Sequence, residues 1–313
     1  MKRARLIYNP TSGREVIRKH LPDILAKLEQ AGYEASAHAT TCEGDATEAA
    51  KIAIERKYDV VIAAGGDGTI YEVVNGLAGA EHRPKLGIIP TGTTNDFARA
   101  IHVPRQVNAA VDIITDGYAM PIDIGKMNDK YFINIAGGGR LTELTYEVPS
   151  KLKTMLGQLA YYLKGIEMLP SIKASQVKIE YDGKLFEGEI MLFLVANTNS
   201  VGGFERLAPD ASLNDGMFSL LIVKKMNLAE FIRVVTMAIR GEHINHPSVV
   251  YAKANRIKVT PVDKKILLNL DGEYGGMAPA EFVNMYRHFD VFVPSGFSPD
   301  ALPQIDEREE ESL

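Results

Sequence analysis

A single cysteine, Cys42, excludes an internal disulfide and fits a reducing cytoplasm. Long apolar runs are missing, and stretches such as Ile190-Met191-Leu192-Phe193-Leu194-Val195-Ala196 are far too short to cross a bilayer. Lys2, Arg3 and Arg5 stand at the N-terminus, but the long apolar core of a signal peptide does not follow them. Neither the G-x-x-x-x-G-K-[ST] loop nor the protein-kinase set of Gly-rich loop, HRD and DFG occurs. A Rossmann dehydrogenase is disfavoured, since no G-x-G-x-x-G follows the first strand and no acidic residue closes the second. There is no internal repeat and no low-complexity linker. An excess of basic charge is lacking too. The formal net charge of −5 sits in residues 300–313, which hold six acidic residues and one arginine. The rest of the chain balances 34 basic against 34 acidic residues, so nothing in bulk charge points to nucleic acid. The run Asp306 to Glu311 reads as a solvated, disordered end.

What the chain does have is length and apolar content for two cores: 313 residues, 46% of them hydrophobic. Its most informative stretch is Gly65-Gly66-Asp67-Gly68-Thr69. The β-branched run Asp59–Ala64 before it reads as a buried parallel strand, and Ile70–Leu77 after it as a helix. Strand, glycine turn and helix aim backbone N–H groups at a phosphate. Asp67 would repel a bare phosphate, and makes sense if Mg²⁺, its waters or a ribose hydroxyl lies between. Two further loops follow strands in the same way: Asn9-Pro10-Thr11-Ser12-Gly13 and Pro90-Thr91-Gly92-Thr93-Thr94-Asn95-Asp96. All three fall at the carboxyl ends of strands, the edge where open α/β sheets bind ligands. Each loop alone is also an ordinary capped turn, with Ser12, Thr69 and Thr94 as caps.

Two textures divide the chain. From Arg3 to about Asp116, strands at 3–9, 33–40, 59–64 and 85–89 alternate with helices at 14–31, 45–57, 69–78 and 94–101, the pattern of a parallel sheet covered on both faces. From about Pro121, strand-like runs are joined by hairpin signals at Asn128-Asp129 and Asp182-Gly183. The expected fold is an α/β nucleotide-binding domain with a parallel sheet, residues 1–120, plus a mainly antiparallel β-sandwich domain, 121–294, with helical insertions. The first insertion, 149–169, carries the stripe Leu152, Leu156, Leu159, Leu163 and Ile166, flanked by Lys151, Lys153, Lys164 and Lys173. It reads either as cover for the sheet or as a face for anionic headgroups. The second, from Asn227 to about Arg240, should pack Leu228, Phe231, Val234, Val235 and Ile239 inward behind an Asn227 cap.

GGDGT, the NPTSG loop and PTGTTNDFARA together resemble the diacylglycerol kinase catalytic domain, and more narrowly the soluble bacterial diacylglycerol kinases. Ala208-Pro209-Asp210-Ala211-Ser212-Leu213-Asn214-Asp215-Gly216-Met217-Phe218 and Asn269-Leu270-Asp271-Gly272-Glu273 continue the resemblance, which runs from about Arg3 to Pro294. GGDGT alone is shared with NAD kinases and phosphofructokinases. The resemblance implies that residues 295–313 return to the nucleotide domain, and that ATP is the phosphoryl donor with Mg²⁺. It further implies nucleotide contacts from Asn9, Pro10, Thr11, Ser12, Gly13, Thr40, Gly65, Gly66, Asp67, Gly68, Thr69, Ile70, Tyr71, Glu72 and Thr93. Asparagine is common in the family where Tyr71 stands. Glu273 is the implied general base. Asp271, two residues away, is expected to point the same way along a strand and to raise the pKa of Glu273 or hold a metal-linked water. The other reading of this segment is a turn at Asp271-Gly272 with Glu273 exposed. Asp67, Asp96, Asp123 and Asp271 are expected to form a Mg²⁺-and-water network around the phosphates. A second, structural Mg²⁺ is implied at the Ser212 and Met217 carbonyls and the Asp215 carboxylate, although Asn214-Asp215-Gly216 equally suits a plain turn.

The resemblance implies a kinase making phosphatidic acid from diacylglycerol, cytoplasmic, a possible homodimer, and in transient peripheral contact with the inner face of the membrane. Three alternatives stay open: a kinase of another hydroxylated lipid, an NAD kinase, and a nucleotide-binding regulator without catalysis.

Overall fold

The computed structural model describes residues 1–139, 174–199, 206–262 and 265–299. Helical insertion 149–169 and the acidic tail lie outside them. Four strands make the parallel half: β1 (Lys2–Tyr8), β2 (Tyr33–Ala39), β3 (Val60–Gly65) and β4 (Lys85–Pro90), in the order β2-β1-β3-β4. Every residue of β3 is buried, as its unbroken apolar run predicts for a central strand covered on both faces. Helices α1 (Val16–Gln30), α2 (Asp45–Glu55), α3 (Asp67–Leu77), α4 (Asp96–Ala100) and α5 (Val107–Asp116) connect and cover these strands. Ile17, Ile24 and Leu28 of α1, Val73 and Leu77 of α3, and Val111 and Ile114 of α5 close one core over them.

The second half contains β5 (Ala119–Met127), β6 (Lys130–Phe132), β7 (Ile135–Gly139), β8 (Ser175–Tyr181), β9 (Lys184–Ala196), β10 (Phe218–Lys224), β11 (Val249–Ala254), β12 (Arg256–Pro261), β13 (Leu267–Leu270), β14 (Glu273–Met277) and β15 (Ala280–Phe292). These pair antiparallel around a second core built on Phe132, Phe193, Phe218 and Phe282. The two halves share one hydrogen-bonded sheet. Long β15 pairs antiparallel with β5 and β12, then runs parallel beside β4 at Val291↔Leu86. Expectation had only Phe289–Pro294 as strand there. Pairing breaks between Met285 and Phe289, where Arg287 takes φ 48°, and this irregularity hides the strand's alternation in sequence.

The helix after β10, α6 (Leu228–Arg240), has the expected cap: Asn227 Oδ1 accepts the Glu230 N–H at 2.9 Å. Its inward face is Phe231, Val234 and Ala238. Ile239 was expected inward and is instead exposed, because it falls one position past Ala238 on the turn facing away from the sheet.

Candidate active site

The three loops meet at the carboxyl edge of the parallel strands. Thr91 N–H donates to Gly65 O at 2.9 Å, and Thr91 Oγ1 to Ser12 Oγ at 3.0 Å. Asn9 N–H continues the ladder onto Ala64 O, while Asn9 Oδ1 accepts both the N–H and the hydroxyl of Thr11. Gly13 has φ +56°, and a Cβ there would stand 2.5 Å from Thr91 O. A Cβ on Gly92 would stand 2.6 Å from the Gly66 Cα. Bare backbone is therefore what lets the loops close on one another. A cavity of about 190 Å³ remains between the first and third loops, lined by Gly13, Thr91, Gly92, Asn95 and Arg105.

Helix α3 starts at Asp67, two residues earlier than expected, so Asp67 and Gly68 form its first turn. Asp67 serves the third loop. Its Oδ2 accepts the Asn95 N–H at 2.9 Å, and its carboxylate also takes the Asp96 and Phe97 amides at the start of α4. Burial pushes its pKa above the ordinary carboxylate value, and these amides pull it back. Asn95, buried and left-handed at φ 53°, clamps the loop through Gly92, donating Nδ2–H to its carbonyl and accepting its N–H, both at 2.8 Å. Arg105 donates to Thr93 O at 3.0 Å. Neither Asn95 nor Arg105 was singled out from sequence. Asn95 carries a local signal, an Asn-Asp pair opening a helix, and Arg105 carries none.

The remaining nucleotide candidates divide. Thr40 joins the edge, its N–H on Tyr8 O, and Thr93 is exposed beside it. Pro10 and Thr11 sit in the first turn. Thr69 N–H and Ile70 N–H both go to Gly66 O, and the Ile70 side chain is buried in the first core. Tyr71 packs against the second core. Glu72 Oε2 accepts the Ala46 N–H at the start of α2, and its carbonyl takes the Thr47 hydroxyl. Tyr71 and Glu72 thus have packing and capping work.

Asp271-Gly272 forms a two-residue turn, with Leu270 paired to Glu273 across it. The strand expected through Asp271 is corrected here: Asp271 is left-handed at φ 49°, and its carboxylate points away from the course of β14. Its Oδ1 accepts the Asn134 and Ile135 amides at 2.9 and 2.8 Å, and Oδ2 the Ile133 amide at 2.7 Å. Part of the residue is exposed at the turn, but the carboxylate is enclosed by these amides. Burial, helped by the nearby Asp67 charge, pushes its pKa up to about 7 against the pull of the three donors. Glu273 opens β14 and is exposed. It nevertheless reaches the glycine loop: Glu273 Oε1 stands 3.1 Å from where a Cβ on Gly68 would be.

The four-aspartate network is corrected as well. Asp123 is fully buried, but both its oxygens are committed to backbone: Oδ2 to the Gly216 N–H at 2.6 Å and Oδ1 to the Arg287 N–H at 2.7 Å. It pins the Leu213–Gly216 loop to the β15 irregularity, rather than joining Asp67 and Asp271. Its pKa is raised by burial, with Asp215 adding to the rise. Among the described residues, no three His, Cys, Asp or Glu side chains gather as a metal cage.

Around Ser212, Asp215 and Met217 the donors are oxygen-rich. Ser212 is buried, and Asp215 Oδ1 accepts the Met217 N–H. Lys253 Nζ lies 3.1 Å from Asp215 Oδ2. Asp123 feels both the Asp215 carboxylate and the Arg287 guanidinium, and Lys253 pairs with Asp215, so two carboxylates and two cations gather there.

Residues 3–127 match the diacylglycerol kinase catalytic domain, and residues 144–301 the YegS C-terminal NAD kinase beta sandwich-like domain. The chain is 71% identical to a diacylglycerol kinase of Bacillus subtilis (strain 168), over 94% of this chain and 97% of the relative. It is 56% identical to a diacylglycerol kinase of Staphylococcus aureus (strain JH9), over 96% and 95%. A crystal structure of a diacylglycerol kinase from Bacillus anthracis str. Sterne superposes with a TM-score of 0.80 at 31% identity, covering 94% of this chain and 97% of that one. The fold and site thus define a lipid kinase. The chain belongs to the diacylglycerol kinase family.

Proposed function

We propose that the enzyme transfers the γ-phosphoryl group of ATP to the free hydroxyl of diacylglycerol, giving phosphatidic acid and ADP. The acceptor oxygen bonds to the γ-phosphorus as the bond to the ADP oxygen breaks, and the hydroxyl proton goes to Glu273. Bound Mg²⁺ would neutralise phosphate charge. Loops 9–13, 65–69 and 90–95 hold the phosphates, with Thr40 and Thr93 at their edge. Asp67 and Asp271 are within electrostatic reach of one another, and in this reading an ion or its waters would meet the faces of these carboxylates that their backbone donors leave open, with Asp96 at the start of α4. Ser212, Asp215 and Met217 would hold a second, structural ion.

The observation that carries this reading is the approach of the Glu273 carboxylate to Gly68 in the glycine loop. Glu273, 205 residues from Gly68 in sequence, approaches the glycine loop, which supports a base from the proposed domain 121–294 acting on a phosphate held by the proposed domain 1–120. The same reading puts the enzyme in the cytoplasm, in transient contact with the inner face of the membrane. A homodimer rests on the family resemblance alone.

The test is a panel assay with labelled ATP and Mg²⁺, offering diacylglycerol in mixed micelles, other hydroxylated lipids and NAD. Labelled phosphatidic acid is expected. Label in another lipid or in NADP would discard the substrate half of the proposal, and no label would leave a binding protein. Glu273→Gln should lower turnover by roughly 10²-fold or more while ADP binding stays near normal.

A further inference from the structure

We infer that the edge strand β14 is the face this enzyme lays against an anionic phospholipid bilayer. The inference rests on Glu273 being the group that meets the lipid hydroxyl. No helix among the described residues is long and apolar enough to cross a membrane, so the lipid must be met at the bilayer surface. A diacylglycerol hydroxyl lies at the headgroup level, and it has to reach Glu273. Whatever surrounds Glu273 therefore comes within a few ångströms of the interface.

Glu273 is the first residue of β14, and among the described strands β14 stands at one end of the order, paired with β13. The two large side chains of this strand are both outward: Tyr274 is 50% exposed and Met277 45%. An edge strand with an exposed tyrosine and methionine is a poor surface to leave in water. Tyrosine is, however, well suited to the membrane–water boundary, with an apolar ring and a polar tip.

Cations stand at both ends of the strand. Lys130 Nζ donates to Tyr274 O at 2.9 Å and lies 5.7 Å from the Tyr274 ring centroid. Lys265 is exposed and adjoins Ile266, whose carbonyl accepts the Ala278 N–H just past Met277. Apolar and aromatic side chains flanked by lysines match a bilayer with anionic headgroups. The rival surface among the described residues is the outer face of α6, where Ile232 and Ile239 are 52% and 67% exposed. That face is not on the strand that carries Glu273.

The experiment is co-sedimentation of the full-length protein with sucrose-loaded vesicles of phosphatidylcholine and phosphatidylglycerol. Wild type is compared with the double variants Tyr274→Ser/Met277→Ser and Ile232→Ser/Ile239→Ser, each checked for folding by thermal melting. The β14 variant should partition about tenfold less or weaker still. It should keep its activity on a short-chain diacylglycerol offered below its micellar concentration. The α6 variant should bind as wild type does. Undiminished partition of the β14 variant overturns the inference, as does loss of binding in the α6 variant instead. A wild type that binds vesicles but phosphorylates no diacylglycerol would remove the proposed reaction, while the partition of the β14 variant would still decide the docking face.

Discussion

Glu273 Oε1 and Gly68 approach so closely that a Cβ on Gly68 would stand 3.1 Å from the carboxylate oxygen. Gly68 lies in the first turn of α3, without the left-handed backbone that only glycine favours. Alanine therefore suits the helix, by roughly 0.5–1 kcal/mol. It does not suit the carboxylate, which must give way. Gly68→Ala should leave the melting temperature unchanged or slightly raised while kcat falls roughly tenfold to a hundredfold, the usual scale for a misplaced catalytic group. Melting curves and initial rates on the same sample check this. Intact kcat would show that Glu273 does not work from this position.

Asp271 supplies a pH signature. Its folded pKa of about 7 lies above its unfolded value, so the native state holds a proton that the unfolded chain has already lost. The stability this gives is fully present below about pH 4 and is lost as pH rises towards about 7. Asp271→Asn cannot titrate, and its amide turns donors towards backbone N–H groups. It should be destabilised by about 1–3 kcal/mol. The gap in melting temperature between wild type and variant should narrow from pH 5 to pH 8. A gap that does not change with pH would mean that the Ile133, Asn134 and Ile135 amides hold the carboxylate ionised throughout.

The parallel half was legible because its signals are local. The buried run before Gly65 and the glycines after it define a strand and a helix start within a dozen residues. Helix α5 went unread, although Val107, Ala110, Val111 and Ile114 have helical spacing and Gly117 closes it in a left-handed conformation. Strand β14 could not be read from Glu-Tyr-Gly-Gly-Met, which is loop-like until β13 pairs with it. Asp271 was expected on a strand, with the Asp271-Gly272 turn as the other reading, and the turn is what forms, as the Asp-Gly hairpin signal suggests. Asp123 shows the harder limit. Its buried position was visible from its neighbours Ile122 and Ile124, but its partners Gly216 and Arg287 come from distant segments, and no local pattern names them. Glu273 was singled out through resemblance and not through spacing, and its approach to Gly68 was not foreseen at all.

Asp215 tests the structural ion by a route independent of turnover. Its carboxylate takes the Met217 N–H and the Lys253 ammonium, with Asp123 close enough to repel it. A cation bound only to the folded loop raises stability in proportion to its occupancy. Wild-type melting should rise with millimolar Mg²⁺ and fall with chelator. Asp215→Ala should melt lower and lose the response. If wild type melts identically with Mg²⁺ and with chelator, Lys253 and Asp123 suffice to hold the loop and no ion belongs there.

Arg105 lines the cavity between the first and third loops, and its Nη2 holds the Thr93 carbonyl at 3.0 Å. It also borders the adjoining cavity that runs towards His20 and Asn108. A triphosphate brings several negative charges to loops that offer mainly backbone N–H groups. A guanidinium at their rim has further donors in a planar fork that fits phosphate oxygens two at a time. Arg105→Ala should raise KM for ATP about tenfold and weaken ADP binding by a similar factor, while KM for diacylglycerol stays within about twofold. Arg105→Lys keeps a donor for Thr93 but loses the fork. If the lysine variant restores ATP affinity fully, Arg105 acts only by holding the loop. If it stays as weak as alanine, the guanidinium itself meets the nucleotide. Calorimetry with ADP on both variants separates these outcomes without any turnover.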